Sequence, residues 1–457
     1  MHYEKTVFFL LHAFLLSAFQ SALSQPNSQF AKLDKNEMAE RVRQEFLHAW
    51  NAYKQYAWGH DDLKPLSKNF RDWHAVSLLM TPVDAMDTMI LLGLTDEAAK
   101  TREFVVKNLS FDHDLFVKNF EITIRLLGGL LSNYQLIADK RLLALAEDLG
   151  NRLLPAFNSP TGMPYMYVNL KTGAVRGAVT NPAEIGTLLV EFGALSKLTG
   201  KPIYYDKAKR AVVEAYNRRS KLGLVGTGIN IETGAWADST SHISACIDSY
   251  YKYLLKGWRL FDDKDCERMW RTSLDAINKY VAHEADTGFW YARVNMFTGQ
   301  HVATRFGALE AFFPGVLALS GDLDRAKRLQ ASCYKMWTMF GIEPEELDYT
   351  TMKVIDGAYH LRPEIIESAY HLYSSTKDPR YLEMGRAFLD DLVRYCKTGA
   401  GYAALRNVET KEKMDEMESF FLAETLKYLY LLFAPAETLD LQKVVFNTEA
   451  HPIRRTW

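Results

Sequence analysis

Four segments set acidic side chains among apolar residues, where a carboxyl group can move protons or hold hydroxyls. The first is Asn119-Phe120-Glu121-Ile122-Thr123-Ile124-Arg125-Leu126-Leu127-Gly128-Gly129. Glu121 and Arg125 stand four apart, so on a helix they share a face and can pair. An ordinary surface ion pair is the alternative. The flanks are apolar, however, and two glycines inside a helix are costly without close packing. The second segment opens at Asp248, before Ser249-Tyr250-Tyr251-Lys252; a helix cap is its simplest role. The third is His360-Leu361-Arg362-Pro363-Glu364-Ile365-Ile366-Glu367. Proline suits a first helical turn, which puts Glu364 and Glu367 on one face at the positive helix end. In the fourth, Met417-Glu418-Ser419-Phe420-Phe421-Leu422-Ala423-Glu424, two acids interrupt an apolar helix. A buried carboxylate without a partner is strongly disfavoured. A ligand rich in hydroxyls is one such partner. Glycoside hydrolysis needs one carboxyl group to protonate the leaving oxygen and another to activate water or attack.

The elements that must position these acids read as helices. In 37–57, Met38, Val42, Phe46, Trp50 and Tyr53 form one stripe, and in 121–137 Ile124, Leu127, Leu131 and Tyr134 do the same. Apolar spacings of three and four also mark 184–199, 204–217, 246–260, 267–281, 308–319, 323–340, 363–376, 380–396 and 416–433. Breakers such as Thr199-Gly200-Lys201-Pro202 and Ser320-Gly321-Asp322 separate them. Three longer connections, at 164–173, 223–234 and 288–299, carry turn signals for small β-hairpins. No linker or composition shift divides the chain, so one all-α domain of helical hairpins over 37–457 is expected. No fixed-period consensus emerges, which disfavours a tetratricopeptide array.

Bulk properties narrow the function. The 457 residues are 48% hydrophobic with a formal charge of −2, enough for a large core and without the basic face that nucleic acid requires. Lys5, an apolar run over 7–19 and small residues up to Ser24 and Gln25 have the parts of a secretory signal over 1–25. The run is shorter than the ~20 residues of a bilayer span, so no stable membrane span is expected after cleavage. Export would place the protein in the periplasm or medium of a bacterium, or in the ER lumen of a eukaryote. Cys246, Cys266, Cys333 and Cys396 include no C-x-x-C pair, which argues against a zinc ribbon or thioredoxin-like chemistry.

The segments around Glu121, Asp248, Glu364 and Glu424 identify a family when joined by Pro82-Val83-Asp84-Ala85-Met86-Asp87-Thr88 and Phe446-Asn447-Thr448-Glu449-Ala450-His451-Pro452. Together they resemble the class I α-mannosidases of glycoside hydrolase family 47, in order, from about residue 37 to the C-terminus. Stretches such as 153–162, 223–234 and 418–433 are most similar to the branch of ER degradation-enhancing mannosidase-like proteins. The resemblance implies an (α/α)7 barrel and inverting hydrolysis of terminal α-1,2-linked mannose, from a free oligosaccharide or a high-mannose glycoprotein, by a monomer. It implies a bound Ca²⁺ with Thr448 as its one direct protein ligand, a metal that composition alone would not suggest. By position, Glu121 matches the general acid, Glu364 the general base and Asp248 a third essential carboxylate. Arg125, Arg362, Phe420, Glu424, Glu184 and Glu367 match residues that line the sugar subsite or hold the metal's waters. These roles call for a protonated Glu121 among apolar neighbours such as Phe120, and an ionised Glu364 favoured by its helix start and Arg362.

There are departures from the family pattern. Ala311 stands where many members have a cysteine bonded to one near Cys333, so Cys333 is expected to be free, and Ala308 replaces a histidine. Cys246 occupies the place of an arginine that helps some members choose a mannose branch, so branch preference does not carry over. No retention signal or added domain is expected after Pro452. A lectin-like member that binds mannose-rich glycans without hydrolysis is the main competing reading. A helical-repeat scaffold and a glucan-active helical barrel are others.

Overall fold

Two kinds of helical sequence alternate along residues 33–457, the range described by this computed structural model. Helices of eight residues or more are α1 (Lys35–Tyr56), α2 (Met80–Leu91), α3 (Thr95–Asn108), α4 (Gly128–Ile137), α5 (Lys140–Leu153), α6 (Leu189–Thr199), α7 (Ile203–Asn217), α8 (Asp248–Phe261), α9 (Lys264–Tyr280), α10 (Phe313–Ser320), α11 (Leu323–Thr338), α12 (Glu364–Thr376), α13 (Arg380–Tyr395) and α14 (Leu426–Phe433). The odd-numbered helices bury one stripe, as α5 does with Leu142, Ala146, Leu149 and Leu153. The even-numbered ones are buried almost all round; in α2 only Ile90 escapes. A helix enclosed on every side needs a ring of neighbours.

Contacts supply that ring. The inner helices pack in the order α2, α4, α6, α8, and again α10, α12, α14, while the segment leading into α14 packs on α2. Between α8 and α10, Arg259 Nη1 donates to the Leu319 carbonyl at 3.0 Å. The odd helices cover the ring from outside: α1 is tied to α3 by Trp50 Nε1 on Glu97 at 3.1 Å and to α13 by Arg41 on Asp390 at 2.7 Å. Seven inner and seven outer helices, counted among the described residues, make the (α/α)7 barrel that the resemblance implied. Residues Asn36–Trp457 form one unit; of the other, Met1–Lys35, only 33–35 are described, so the expected signal segment lies outside the described residues. No described helix is long and apolar enough to cross a membrane.

Connection lengths give the ring two unlike ends. Links from an inner helix to the next outer helix are tight turns, whereas most links into an inner helix are long and carry hairpins. The three expected hairpins are present, pairing Tyr167–Asn169 with Val175–Arg176, Gly228–Asn230 with Trp236–Asp238, and Arg293–Asn295 with His301–Ala303. They share a turn that the search for a long repeat missed. Asn169, Asn230, Asn295, Asp348 and Asn407 each accept the amides two and three residues on. The residue four on has positive φ: Gly173, Gly234 and Gly299, then Met352 and Lys411. This is the Asx turn, and its Asn-x-x-Thr-Gly form is readable in the first three.

Several helix boundaries differ from expectation. The 308–319 stretch opens as a 3-10 turn before α10, and 416–433 is helical only from a π segment, Phe421–Thr425. The 121–137 helix contains a second π segment, Thr123–Leu127, and 184–199 breaks between Pro182–Gly186 and α6. Helices α2, α3 and α5 were not expected. Pro82 reads as a breaker but sits in the first turn of α2, where its missing N–H costs nothing. All four cysteines are free.

A terminal hairpin, Val444–Phe446 with Pro452–Arg454, fills the ring's interior. It is held by a cluster in which every member is 0% exposed: His451 Nδ1 meets Asp87 at 2.7 Å, His451 Nε2 meets Asp84 at 3.1 Å, and Lys427 meets Asp87 at 2.7 Å. Burial opposes the charged forms, but the pairing prevails and holds Asp87 at about 2 and His451 up at about 9. His451 therefore adds stability that is complete below its unfolded value of about 6.5 and is lost as pH rises through about 9. Lys427→Met should cost on the order of 3 kcal/mol in urea unfolding at pH 7 by leaving Asp87 with His451 as its one cationic partner. A loss under 1 kcal/mol would show that the cluster does not anchor the hairpin.

Candidate active site

A cavity of about 290 Å³ opens at the end of the ring where the long connections lie, and it continues into a smaller recess of about 30 Å³. Glu121, Arg125, Glu184, Asp248, Arg362, Glu364, Phe420, Glu424 and Thr448 line the cavity, and Glu367 lines the recess. The structure thus brings together every site residue expected from sequence.

Each acid arrives on an inner-helix start. Asp248 and Glu364 are the first residues of α8 and α12, and Glu184 sits in the first turn of Pro182–Gly186. Helix starts carry partial positive charge and unsatisfied N–H groups, which suit carboxylates. Asp248 is not a cap to its helix; its Oδ1 takes the Ser249 N–H at 2.7 Å. Just upstream, Cys246 and Leu361 have positive φ, an uncommon conformation for such residues that turns the chain sharply into the helix. Arg125 and Glu424 come from the two π segments, whose extra residue per turn re-aims the side chains that follow.

Seven carboxylates face four cationic side chains around the two spaces. Arg125 meets Glu121 at 3.1 Å, pairs closely with Glu449 and lies 3.8 Å from Asp84. Trp73 and Phe420 cover its guanidinium at 5.2 and 5.8 Å from their ring centres. Lys118 bridges Glu184 at 2.8 Å and Glu121 at 3.8 Å. Lys252 holds Glu367 at 3.0 Å, and Arg362 grips Glu345 through two nitrogens at 2.6 and 3.1 Å.

Two expectations about charge are corrected. Glu121 lies between two cations rather than among apolar neighbours. Glu364 is not held ionised: burial pushes it up to about 8, because the guanidinium of Arg362 is engaged by Glu345, and Glu364 Oε2 has no protein partner. Burial likewise raises Glu424, Glu184 and Asp248, and raises Glu449 to about 8. Burial acts on Glu367 too, but Lys252, Lys256 and His371 together outweigh it and lower that carboxyl.

No group of three His, Cys, Asp or Glu among the described residues is placed to grip a metal by itself. The recess nevertheless suits a hard cation held mostly through waters. Thr448 faces Glu364, Glu367 and Glu424 across about 30 Å³, Lys252 is held by Glu367, and Glu364 Oε2 lacks a protein partner. The carboxylate and hydroxyl oxygens among that lining are the donor type that Ca²⁺ takes.

The sequence reading missed Lys118, Lys252, Glu345 and the pairing of Glu449. Glu449 lay inside a quoted motif, but its partner is remote in sequence. Lys118 could have been suspected from its i,i+3 spacing to Glu121.

The family model for glycosyl hydrolase family 47 matches residues 45–455. The chain is 39% identical to "Alpha-mannosidase I MNS5" of Arabidopsis thaliana, over 94% of this chain and 79% of that protein. It is 40% identical to "ER degradation-enhancing alpha-mannosidase-like protein 2" of Mus musculus, over 91% and 77%. Against "Endoplasmic reticulum mannosyl-oligosaccharide 1,2-alpha-mannosidase" of Rattus norvegicus it is 37% identical, over 92% and 68%. The solved α-1,2-mannosidase from Trichoderma reesei superposes with a TM-score of 0.85 at 30% identity, covering 92% of this chain and 99% of that one. The chain belongs to glycosyl hydrolase family 47.

Glu364 also gives a test of the site's electrostatics in the free protein. Its folded value lies above an unfolded one of about 4.3, so ionising it weakens the fold as pH rises through that window to about 8. Glu364→Gln should therefore be more stable than wild type by on the order of 5 kcal/mol at pH 9 and gain little at pH 4. Equal melting at both pH values would contradict this account of the site.

Proposed function

We propose that the protein is an inverting, calcium-dependent exo-α-1,2-mannosidase that trims terminal mannose from mannose-rich N-glycans or related oligosaccharides. The carrying observation is the convergence of Glu121, Asp248 and Glu364 with Thr448 on one cavity large enough for a single pyranose. Glu121, held by Arg125 and Lys118 near the mouth, delivers a proton to the leaving oxygen. Glu364, deeper and on a helix start, takes a proton from the attacking water. Asp248 orients solvent between acid and substrate. Phe420, beside Arg125 and Arg362, offers an apolar face to the sugar's C–H groups. The remaining carboxylates and arginines accept and donate to hydroxyls. Thr448 would hold the cation directly, with Glu184, Glu367 and Glu424 holding its waters. A bound divalent ion supplies positive charge that orients hydroxyls and favours ionised carboxylates nearby. That supply answers the high value of Glu364 in the free protein. Entry through the secretory route and action as a monomer belong to the same reading.

In mass-spectrometric assays of mannose release from an α-1,2-linked mannobiose, Glu364→Gln should lower turnover by a factor on the order of a thousand while mannose binding persists. Near-wild-type turnover would remove Glu364 as the base. Chelation should abolish release and calcium should restore it. Cys246→Arg should change the order in which the arms of a high-mannose glycan are trimmed; an unchanged order would show that Cys246 does not face the aglycone.

A further inference from the structure

Beneath the cavity, a buried chain of hydrogen bonds ends on the tip of the tail hairpin. Glu191 on α6 and Tyr253 on α8 are both 0% exposed. Tyr253 Oη donates to Glu191 Oε1 at 2.6 Å and accepts the Thr448 N–H at 3.0 Å. A third partner fixes that direction. Asn447 Nδ2 donates to the same Glu191 Oε1 and to the Ile124 carbonyl, both at 2.8 Å. Asn447 Oδ1 accepts the amides of Glu449 and His451 at 2.9 and 2.8 Å. Glu191 Oε1 thus accepts twice, the tyrosine's only proton is committed to it, and a lone pair of Oη is left for Thr448. The carbonyls on either side are taken by buried lysines, Asn447 by Lys256 at 3.0 Å and Ala450 by Lys427 at 2.7 Å.

Neither Glu191 nor Tyr253 lines the cavity, and the chemistry above uses neither. Packing alone does not explain them. Leucine and phenylalanine would fill the same space without burying a hydroxyl and a carboxylate, one of whose oxygens, Glu191 Oε2, has no protein partner, a costly arrangement. What the pair adds is a fixed backbone at Thr448.

We propose that Tyr253 and Glu191 are positioning residues that hold Thr448 at the cavity wall and thereby set how tightly the site takes a divalent cation. The inference rests on the cation reading given under Proposed function. Supporting groups behind a metal ligand commonly change affinity by about 10–100-fold when removed, because the ligand must then be ordered at the moment of binding.

The test uses the full chain and three variants. Tyr253→Phe keeps the ring but removes both hydrogen bonds. Glu191→Leu removes the acceptor. Glu191→Gln keeps an accepting oxygen and serves as the conservative rescue. Calcium binding is measured by calorimetry, and hydrogen exchange is followed in the segment 446–451. Tyr253→Phe and Glu191→Leu should bind calcium at least about tenfold more weakly and exchange faster at Thr448, with Glu191→Gln close to wild type. A general loss of structure would instead weaken all three and speed exchange throughout the chain. Wild-type calcium affinity in Tyr253→Phe overturns the inference. Wild-type protein that binds no calcium overturns the cation reading itself and with it the cation half of this one. The exchange arm then still decides whether Tyr253 holds Thr448, and unchanged exchange there refutes that half.

Discussion

A carboxylate enclosed by protein needs a cation, a dipole or a hydrogen-bond donor, and the cost of leaving it bare runs to several kcal/mol. That constraint organises this barrel. Where acids turn toward the axis, lysines and arginines meet them: Lys252 for Glu367 and Lys427 for Asp87 from other helices, and Arg125 for Glu121 on its own helix and for Glu449 of the tail. Near the tail the matching is closer, with His451 and Lys427 both paired with Asp87. Around the cavity it is incomplete. Glu364, Glu424 and Glu449 carry raised values, and oxygens of Glu364 and Glu184 have no protein partner. Part of the shortfall sits in the space where a polar ligand and a cation would complete the set, while Glu343, enclosed away from the cavity, also has both oxygens without a protein partner.

The fold creates this difference through its two ends. Tight turns close one end of the ring, and the returning hairpin fills the interior with paired charges. Long connections open the other end, and their Asx turns hold short hairpins whose chains re-enter the inner helices at Asp248 and Glu364. Positive φ at Cys246 and Leu361 makes those re-entries abrupt. The π segments then turn Arg125 and Glu424 inward from helices that would otherwise present them elsewhere. Site geometry here is a property of helix starts and local irregularities, carried on a regular ring.

Five of the seven outer helices are legible in sequence because one face meets solvent, so stripes such as Met38, Val42, Phe46 and Trp50 stand out, and six of the seven inner ones are legible from apolar spacings of three and four. Helix α2 is not, because residues buried on every side leave no contrast to read. The stripe of α5, through Leu142, Ala146, Leu149 and Leu153, carries the same contrast as that of α1. The candidate acids were visible as carboxylates in apolar text, and their assembly on one cavity followed from the resemblance rather than from spacing. Their partners were invisible: Arg362 with Glu345, Lys252 with Glu367 and Arg125 with Glu449 join residues remote in sequence. The protonation of Glu364 was misjudged for the same reason. Its helix start and Arg362 are local and readable, while the burial that outweighs them is tertiary.

In the proposed reaction, a water activated by Glu364 on one side of the sugar and protonation by Glu121 on the other would fix the stereochemistry of the product. Proton NMR of mannose released in the first minutes of hydrolysis reads that outcome before mutarotation blurs it. The account requires the β anomer to form first. Initial release of the α anomer would contradict a water-mediated displacement and with it the roles given to both carboxylates.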